Sequence, residues 1–192
     1  AGKEWLVRMF RSVWEHGTVP EEWRDSLLVP LWKNKGSPED CNKYRGIALL
    51  DVVGKVLAGV MTIRMQAALK TVFLGSQWGF RAERSTREPL ALLRRAVSAI
   101  VMDKAEAFAA FIDLEKAYDK VPRGPLFLIL RKLGFPEALV KVLESLHDNP
   151  QAKVRVDGEL CDPFRVLQGV RQGCKIAPVL FNVFFDVVMR DV

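Results

Sequence analysis

The sequence predicts an α+β fold, mostly helical, with short antiparallel strands and hairpins. Apolar residues recur at helical spacing in several long segments, which is the pattern of amphipathic helices. Shorter apolar runs flank turn-forming residues, such as Gly36 and Pro38 in one place and Asp157-Gly158 in another. No repeat, low-complexity segment or long linker divides the 192 residues, so the chain can form one sizeable core or two small lobes.

The individual elements follow from these periodicities and from the residues at their ends. Gly17 is typical of a position just after a helix, whereas Asp51 and either Ser85 or Thr86 have side chains that cap helix N termini. The predicted helices lie at residues 5–16, 51–70, 85–104, 125–133, 136–146 and 178–190. The predicted strands lie at 26–32, 44–50 and 107–112, and a further hairpin is predicted within 153–158.

Charge and cysteine content narrow the classes of function. With 29 Lys and Arg against 23 Asp and Glu, the net charge of +6 favours a polyanionic partner. Cys41, Cys161 and Cys174 show no paired spacing, and His16 and His147 lie far apart, so neither a disulfide framework nor a zinc site is indicated. No run reaches the roughly 18 apolar residues of a membrane span, and no signal peptide is evident. We therefore expect an intracellular protein, nuclear or cytoplasmic, with no membrane partner.

Residues 111–119, Phe-Ile-Asp-Leu-Glu-Lys-Ala-Tyr-Asp, are the most informative segment. The predicted strand at 107–112 places Asp113 at its end, and Tyr118 follows five residues later, where the chain has begun to turn. Mg²⁺ prefers oxygen ligands and keeps several waters, so an aspartate at a strand end is well placed to hold it. Taken alone, the segment is equally compatible with a buried strand followed by an acidic cap.

A second segment is the glycine-bracketed loop Gly169-Val-Arg-Gln-Gly-Cys174, which precedes the last predicted helix. Its two glycines permit close approach of the backbone to a ligand, and Gln172 offers both hydrogen-bond donors and an acceptor. The alternative interpretation is a plain turn.

Four segments, in this order along the chain, resemble reverse transcriptases, particularly those of LINE-type, non-LTR retrotransposons. The first is Val29-Pro-Leu-Trp-Lys33 continuing to Tyr44-Arg-Gly-Ile-Ala-Leu-Leu50, and the second is Gln77-Trp-Gly-Phe-Arg81 with Ser85-Thr86. The other two are the segments around Asp113 and Gln172. The resemblance covers nearly the whole chain. It implies a right-hand polymerase fold with an N-terminal helical extension at 1–25, fingers at 26–105 and a partial palm at 106–192.

The resemblance also implies roles for individual residues. Asp113 would hold catalytic Mg²⁺, and the incoming nucleotide would contact Lys33, Arg45, Tyr118 and Gln172, with Tyr118 leaving no room for a 2′-hydroxyl. Lys35 is a rival to Lys33, and the alternative for Lys33 and Arg45 is that they are solvated turn charges. Template contacts are expected from three arginines, for which an exposed basic surface is the alternative: Arg81, Arg84 and Arg87. The implied partners are an RNA template, a DNA primer and deoxynucleoside triphosphates.

Three departures from the family pattern bear on activity. Gly46 stands where proline is usual, and Ile176-Ala177 where Leu-Ser is usual. The family also supplies metal ligands from an adjacent Asp-Asp pair on a hairpin after the last helix, which this sequence does not contain. Asp186 and Asp191 are interpreted as structural or surface residues. We expect part of an RNA-directed DNA polymerase that is inactive alone; the alternatives are a non-catalytic nucleic-acid-binding module and an unrelated basic helical domain.

Two predicted helices carry large apolar surfaces. The helix at 178–190 is apolar nearly all round and must be covered on several faces. We expect exposure of Phe181, Phe184, Phe185 or Val188, and self-association through this helix. The helix at 85–104 has one apolar face, formed by Leu90, Leu93, Val97 and Ile100.

Overall fold

A computed structural model describes residues 2–190, and its six helices and five short strands within that range confirm the α+β class. The helices are α1 Gly2–His16, α2 Val52–Leu69, α3 Arg87–Met102, α4 Arg123–Lys132, α5 Glu137–His147 and α6 Ala177–Arg190. The strands are β1 Ser26–Trp32, β2 Tyr44–Leu50, β3 Gln151–Val156, β4 Glu159–Leu160 and β5 Phe164–Arg165. All six helices lie within a few residues of the predicted positions.

The strands form one sheet in the order β2-β1-β3-β4, with β5 paired to β3. The predicted hairpin of β1 and β2 is antiparallel over its whole length, from Ser26 opposite Leu50 to Trp32 opposite Tyr44. β3 and β4 form the other predicted hairpin, with positive φ angles at Asp157 and Gly158 in the turn. The pairing of β1 with β3 is parallel, which the predicted antiparallel strands and hairpins did not include. Strand periodicity encodes which face is buried, and it does not specify a distant partner.

The core lies mainly between α2, α4, α5 and α6, beside the sheet. Its largest fully buried side chains come from these helices and from the loop before α6: Met61, Met65, Leu69, Leu126, Leu130, Leu143, Ile176 and Leu180. Each such side chain contributes about 1.5–3 kcal/mol of hydrophobic stabilisation. Asp51 caps α2 as predicted, because its Oδ1 accepts a hydrogen bond from the Gly54 backbone N–H at 2.9 Å.

From the sequence we expected no segment apolar enough to cross a membrane, and α2 does not fit this expectation. Its 18 residues have a mean hydropathy of 1.4, so by length and composition alone it meets that requirement. One face of α2 packs into the core through Leu57, Met61 and Met65. We therefore interpret α2 as a core helix of a folded domain, a type of helix that often passes the same compositional test.

The strand predicted at 107–112 is absent, and this prediction was wrong. Residues 105–114 have no regular secondary structure, and Phe108 and Phe111 are 100% and 84% exposed. A strand is held by hydrogen bonds to a neighbouring strand, and none of the five strands in residues 2–190 pairs with this segment. The preceding helix α3 shares this exposure, since none of its residues is buried.

α6 is covered more fully than expected. Phe181, Phe184 and Phe185 are partly buried, and only Val188 of the four residues expected at the surface is exposed. Self-association through α6 therefore has no support from this structure. Asp186 has the structural role assigned to it: it accepts a hydrogen bond from the Leu74 backbone N–H and pairs with Arg190. Asp191 lies outside the described residues.

Candidate functional site

A cavity of about 930 Å³ lies where three segments of the chain meet. One wall comes from the β1–β2 hairpin, a second from residues 113–119 and a third from the loop and helix start at 172–178. All five residues predicted to contact metal or nucleotide line this one cavity: Lys33, Arg45, Asp113, Tyr118 and Gln172. These residues are far apart in sequence, so their convergence is a property of the fold.

The backbone of the loop at 169–173 is hydrogen-bonded to Tyr118 and Val121 and lies close to β2. The N–H of Gly169 donates to the Val121 carbonyl at 3.0 Å, and the N–H of Val170 donates to the Tyr118 carbonyl at 2.8 Å. At the other end of the loop, a Cβ on Gly173 would lie 2.6 Å from the Ala48 carbonyl oxygen of β2, and its φ is +91°. Glycine is thus required there for close approach to the chain's own backbone, a requirement that the sequence alone did not indicate.

Two partly buried arginines help to fix the loop at 169–173 through hydrogen bonds to backbone carbonyls. Arg171 donates to the backbone carbonyls of Trp23 and Asp25, and Arg123 donates from Nε to the Gly169 carbonyl at 2.8 Å. Burial lowers the pKa of both guanidinium groups, but arginine remains charged at neutral pH. Sequence analysis missed both residues, because their partners are backbone carbonyls that no side-chain motif identifies.

The ring of Tyr118 contacts two phenylalanine rings. The Phe181 ring of α6 lies 5.1 Å from it between centroids, and the Phe80 ring approaches edge-on at 6.3 Å with an interplanar angle of 84°. Burial raises the pKa of the Tyr118 phenol above its ordinary value, so the side chain is neutral at physiological pH. A neutral, supported aromatic ring thus forms part of the cavity wall.

Two cationic side chains from the β1–β2 hairpin line the cavity. Lys33 lines it and donates from Nζ to the Asn42 carbonyl at 2.9 Å, and Arg45 lines it with an exposed side chain. Lys35, the rival of Lys33, is not among the lining residues. Lys33 and Arg45 can therefore both reach an anionic ligand in the cavity.

Carboxylates line the cavity beside these cations. Asp113, Glu115 and Asp119 all border it, and the Asp119 carboxylate accepts a hydrogen bond from Gln172 Nε2 at 2.7 Å. Sequence analysis did not assign a role to Asp119, although it directly follows Tyr118 in the segment that was singled out. Within residues 2–190, no group of three or more carboxylate, imidazole or thiol side chains is arranged to hold a metal ion.

The three arginines predicted to contact template lie outside the cavity lining. Arg81 donates to the carbonyls of Lys70, Leu74 and Gln77 and lies over the Phe73 ring. Arg84 stacks on Trp78, 4.6 Å from the ring centroid. Arg87 is exposed at the start of α3.

Comparisons with known proteins find relatives over nearly the whole chain. The chain is 28% identical, over 94% of its length, to the RNA-directed DNA polymerase from mobile element jockey of Drosophila melanogaster, and 25% identical over 94% to the corresponding Drosophila funebris protein. It is 20% identical over 96% to the retrovirus-related Pol polyprotein from type-2 retrotransposable element R2DM of Drosophila melanogaster.

The chain spans about a fifth of the length of these relatives, 20% of the jockey proteins and 17% of the R2DM polyprotein. Residues 32–192 match the family model described as reverse transcriptase (RNA-dependent DNA polymerase). Together with the non-LTR retroelement relatives, this match over most of the chain shows that the protein belongs to the reverse transcriptase family.

Proposed function

We propose that this chain forms the nucleotide-binding part of an RNA-directed DNA polymerase of a non-LTR retroelement. Its substrates would be deoxynucleoside triphosphates, added to a DNA primer on an RNA template. The observation that carries the proposal is the convergence of Lys33, Arg45, Asp113, Tyr118 and Gln172 on one cavity.

The charges around the cavity suit a nucleoside triphosphate. Lys33 provides a mobile point charge and Arg45 a planar guanidinium that can donate two parallel hydrogen bonds to phosphate oxygens. Gln172, held by Asp119, presents its remaining amide groups to the base and template side of the nucleotide. Phosphoryl transfer depends mainly on such positioning and charge stabilisation, so these residues would orient the substrate.

The metal requirement is met only in part by the described residues. Asp113 offers the hard carboxylate oxygen that Mg²⁺ prefers, and we propose it as one ligand. Bound Mg²⁺ would neutralise charge on the transferring phosphoryl group. Residues 2–190 contain no cluster of three suitable ligands, so a complete two-metal site needs further donors.

The proposed roles imply a division of the chain. Residues 26–105 would form fingers, 106–192 part of a palm and 1–25 a helical extension. The cavity lies between the β1–β2 hairpin and the segments at 113–119 and 172–178, which supports a substrate site between fingers and palm. Arg84 and Arg87 have the more accessible side chains, and we propose them as the template contacts. Arg81 would instead act by ordering the loop before α3.

Calorimetric titration of a deoxynucleoside triphosphate, with Mg²⁺, into the chain tests the proposal. Lys33→Ala and Arg45→Ala should each weaken binding by about tenfold, or about 1.4 kcal/mol. Lys35→Ala is the matched control, since it removes a charge from the same hairpin without touching the cavity lining. Equal affinities for all three variants and the wild type would refute the nucleotide site. Retained nucleic-acid binding with no nucleotide binding would instead favour a non-catalytic module.

A further inference from the structure

We propose that Gln77, Phe80 and Asn182 form a support that fixes the Tyr118 ring and thereby sets the discrimination between deoxyribose and ribose. These residues are hereafter called the ring support. The proposal rests on the function proposed above, and it adds specificity-determining residues that do not themselves line the cavity.

The base of the ring support is a hydrogen-bond triangle between α6 and the loop before α3. Asn182 donates from Nδ2 to the Gly79 carbonyl at 2.8 Å, and Gln77 donates from Nε2 to the same carbonyl at 3.2 Å. Gln77 also donates to Asn182 Oδ1 at 3.2 Å. Asn182 is only 1% exposed, so its amide depends on these partners. The triangle therefore fixes the backbone at Gly79 relative to α6.

Phe80 follows Gly79 and transmits this position to Tyr118. Its φ is +54°, which is uncommon for an aromatic residue, and the residue is 62% exposed. Burial therefore does not explain why the ring stays in place. The anchored Gly79 carbonyl fixes the backbone that precedes Phe80. The Phe80 ring lies edge-on against Tyr118 from this position.

α6 acts on Tyr118 by two routes, which start from two adjacent residues. Phe181 contacts the Tyr118 ring directly, and Asn182 acts on it through Gly79 and Phe80. Tyr118 itself lies in an irregular turn at 115–120, where no strand or helix determines the direction of its side chain. The position of its ring consequently depends on these neighbours.

Fluorine NMR on 3-fluorotyrosine-labelled protein tests the support without any need for activity. The chain has only two tyrosines, so Tyr44→Phe assigns the Tyr118 resonance. Phe80→Ala removes an exposed ring with little risk to folding and should shift and narrow that resonance; Asn182→Ala should shift it in a protein that stays folded. Phe108→Ala is the matched control, since Phe108 is fully exposed and lies in the segment without regular structure.

Primer extension in a chain extended to the length of its relatives tests the consequence for sugar selection. Phe80→Ala and Asn182→Ala should lower the ratio of kcat/KM for deoxy- over ribonucleotides by about threefold or more. An unchanged Tyr118 resonance in both variants would overturn the ring support, whatever the polymerase does. A shifted resonance with an unchanged ratio would overturn its role in selection. No incorporation by the extended wild-type chain would instead refute the proposed function, and the NMR result would stand separately.

Discussion

Gln172 donates from Nε2 to Asp119 Oδ1 at 2.7 Å and so links the loop at 169–173 to the turn that carries Tyr118. The same two segments are joined by the Val170 N–H, which donates to the Tyr118 carbonyl. A hydrogen bond to a carboxylate is stronger than one between neutral groups, although partial exposure limits its contribution to stability. Its main effect is to hold the Gln172 amide in one orientation at the cavity.

Asp119→Ala should release that amide. We expect nucleotide affinity to fall by about threefold while the free energy of unfolding changes by less than about 1 kcal/mol. Asp119→Asn retains an oxygen acceptor at the same position and should restore most of the affinity. Calorimetric titration and urea unfolding of the two variants provide the measurements. Equal nucleotide affinity in Asp119→Ala and the wild type would show that the bond does not orient Gln172.

Gly173→Ala should destabilise the chain. The added Cβ would lie 2.6 Å from the Ala48 carbonyl oxygen, and the φ of +91° is unfavourable for any residue with a side chain. The expected loss is on the order of 2 kcal/mol in urea unfolding. Gly75→Ala is the control, because nothing lies within 4 Å of its Cβ position and its φ is not positive. Similar unfolding free energies for both variants would contradict the close packing of the loop on β2.

His147 should make stability depend on pH. It is 5% exposed, its Nδ1 lies 2.8 Å from the Leu143 carbonyl oxygen, and burial lowers its pKa from 6.5 to about 4, with Arg123 and Arg171 adding to the effect. The unfolded chain takes up a proton below pH 6.5 while the folded chain does not. Stability should therefore fall as pH drops from 6.5 through 4, by up to about 3 kcal/mol.

Chemical unfolding between pH 7.5 and 4 measures this loss. His147→Gln removes the titrating group, so this variant should lack that part of the pH dependence even if its stability is lower at all pH values. His16→Gln is the control, because His16 is exposed on α1. A wild-type slope that persists in His147→Gln would assign the pH dependence to other groups.

The features that sequence analysis predicted correctly depend on local interactions. The cap at Asp51 and the turn at Asp157-Gly158 involve residues within a few positions of one another. The strand at 107–112 was predicted from composition, but a strand also needs a hydrogen-bonded neighbour. The candidate site residues were predicted from family motifs, which do not include the supporting contacts of Arg123 or Asn182. Those contacts join segments far apart in sequence and become evident only in the fold.

The effect of Tyr118→Val should differ in kind from that of Asp113→Ala. If the Tyr118 ring excludes a 2′-hydroxyl, the smaller valine should admit ribonucleotides and lower the ratio of kcat/KM for deoxy- over ribonucleotides. A change of about 1.4 kcal/mol in relative transition-state binding corresponds to a tenfold change in that ratio. Asp113→Ala should instead abolish turnover with both sugars, because it removes a proposed metal ligand. Primer extension in a chain competent for synthesis provides both measurements.

A purely structural role for Tyr118 makes a different prediction. The ring packs on Phe181 and Phe80, so its removal would leave a cavity costing on the order of 3 kcal/mol in stability. Rates with deoxy- and ribonucleotides would then fall together. Tyr118→Phe separates the two roles further, since it keeps the ring and loses only the hydroxyl. It should retain the wild-type ratio if the ring itself excludes ribose. An unchanged ratio in folded Tyr118→Val would refute the steric role.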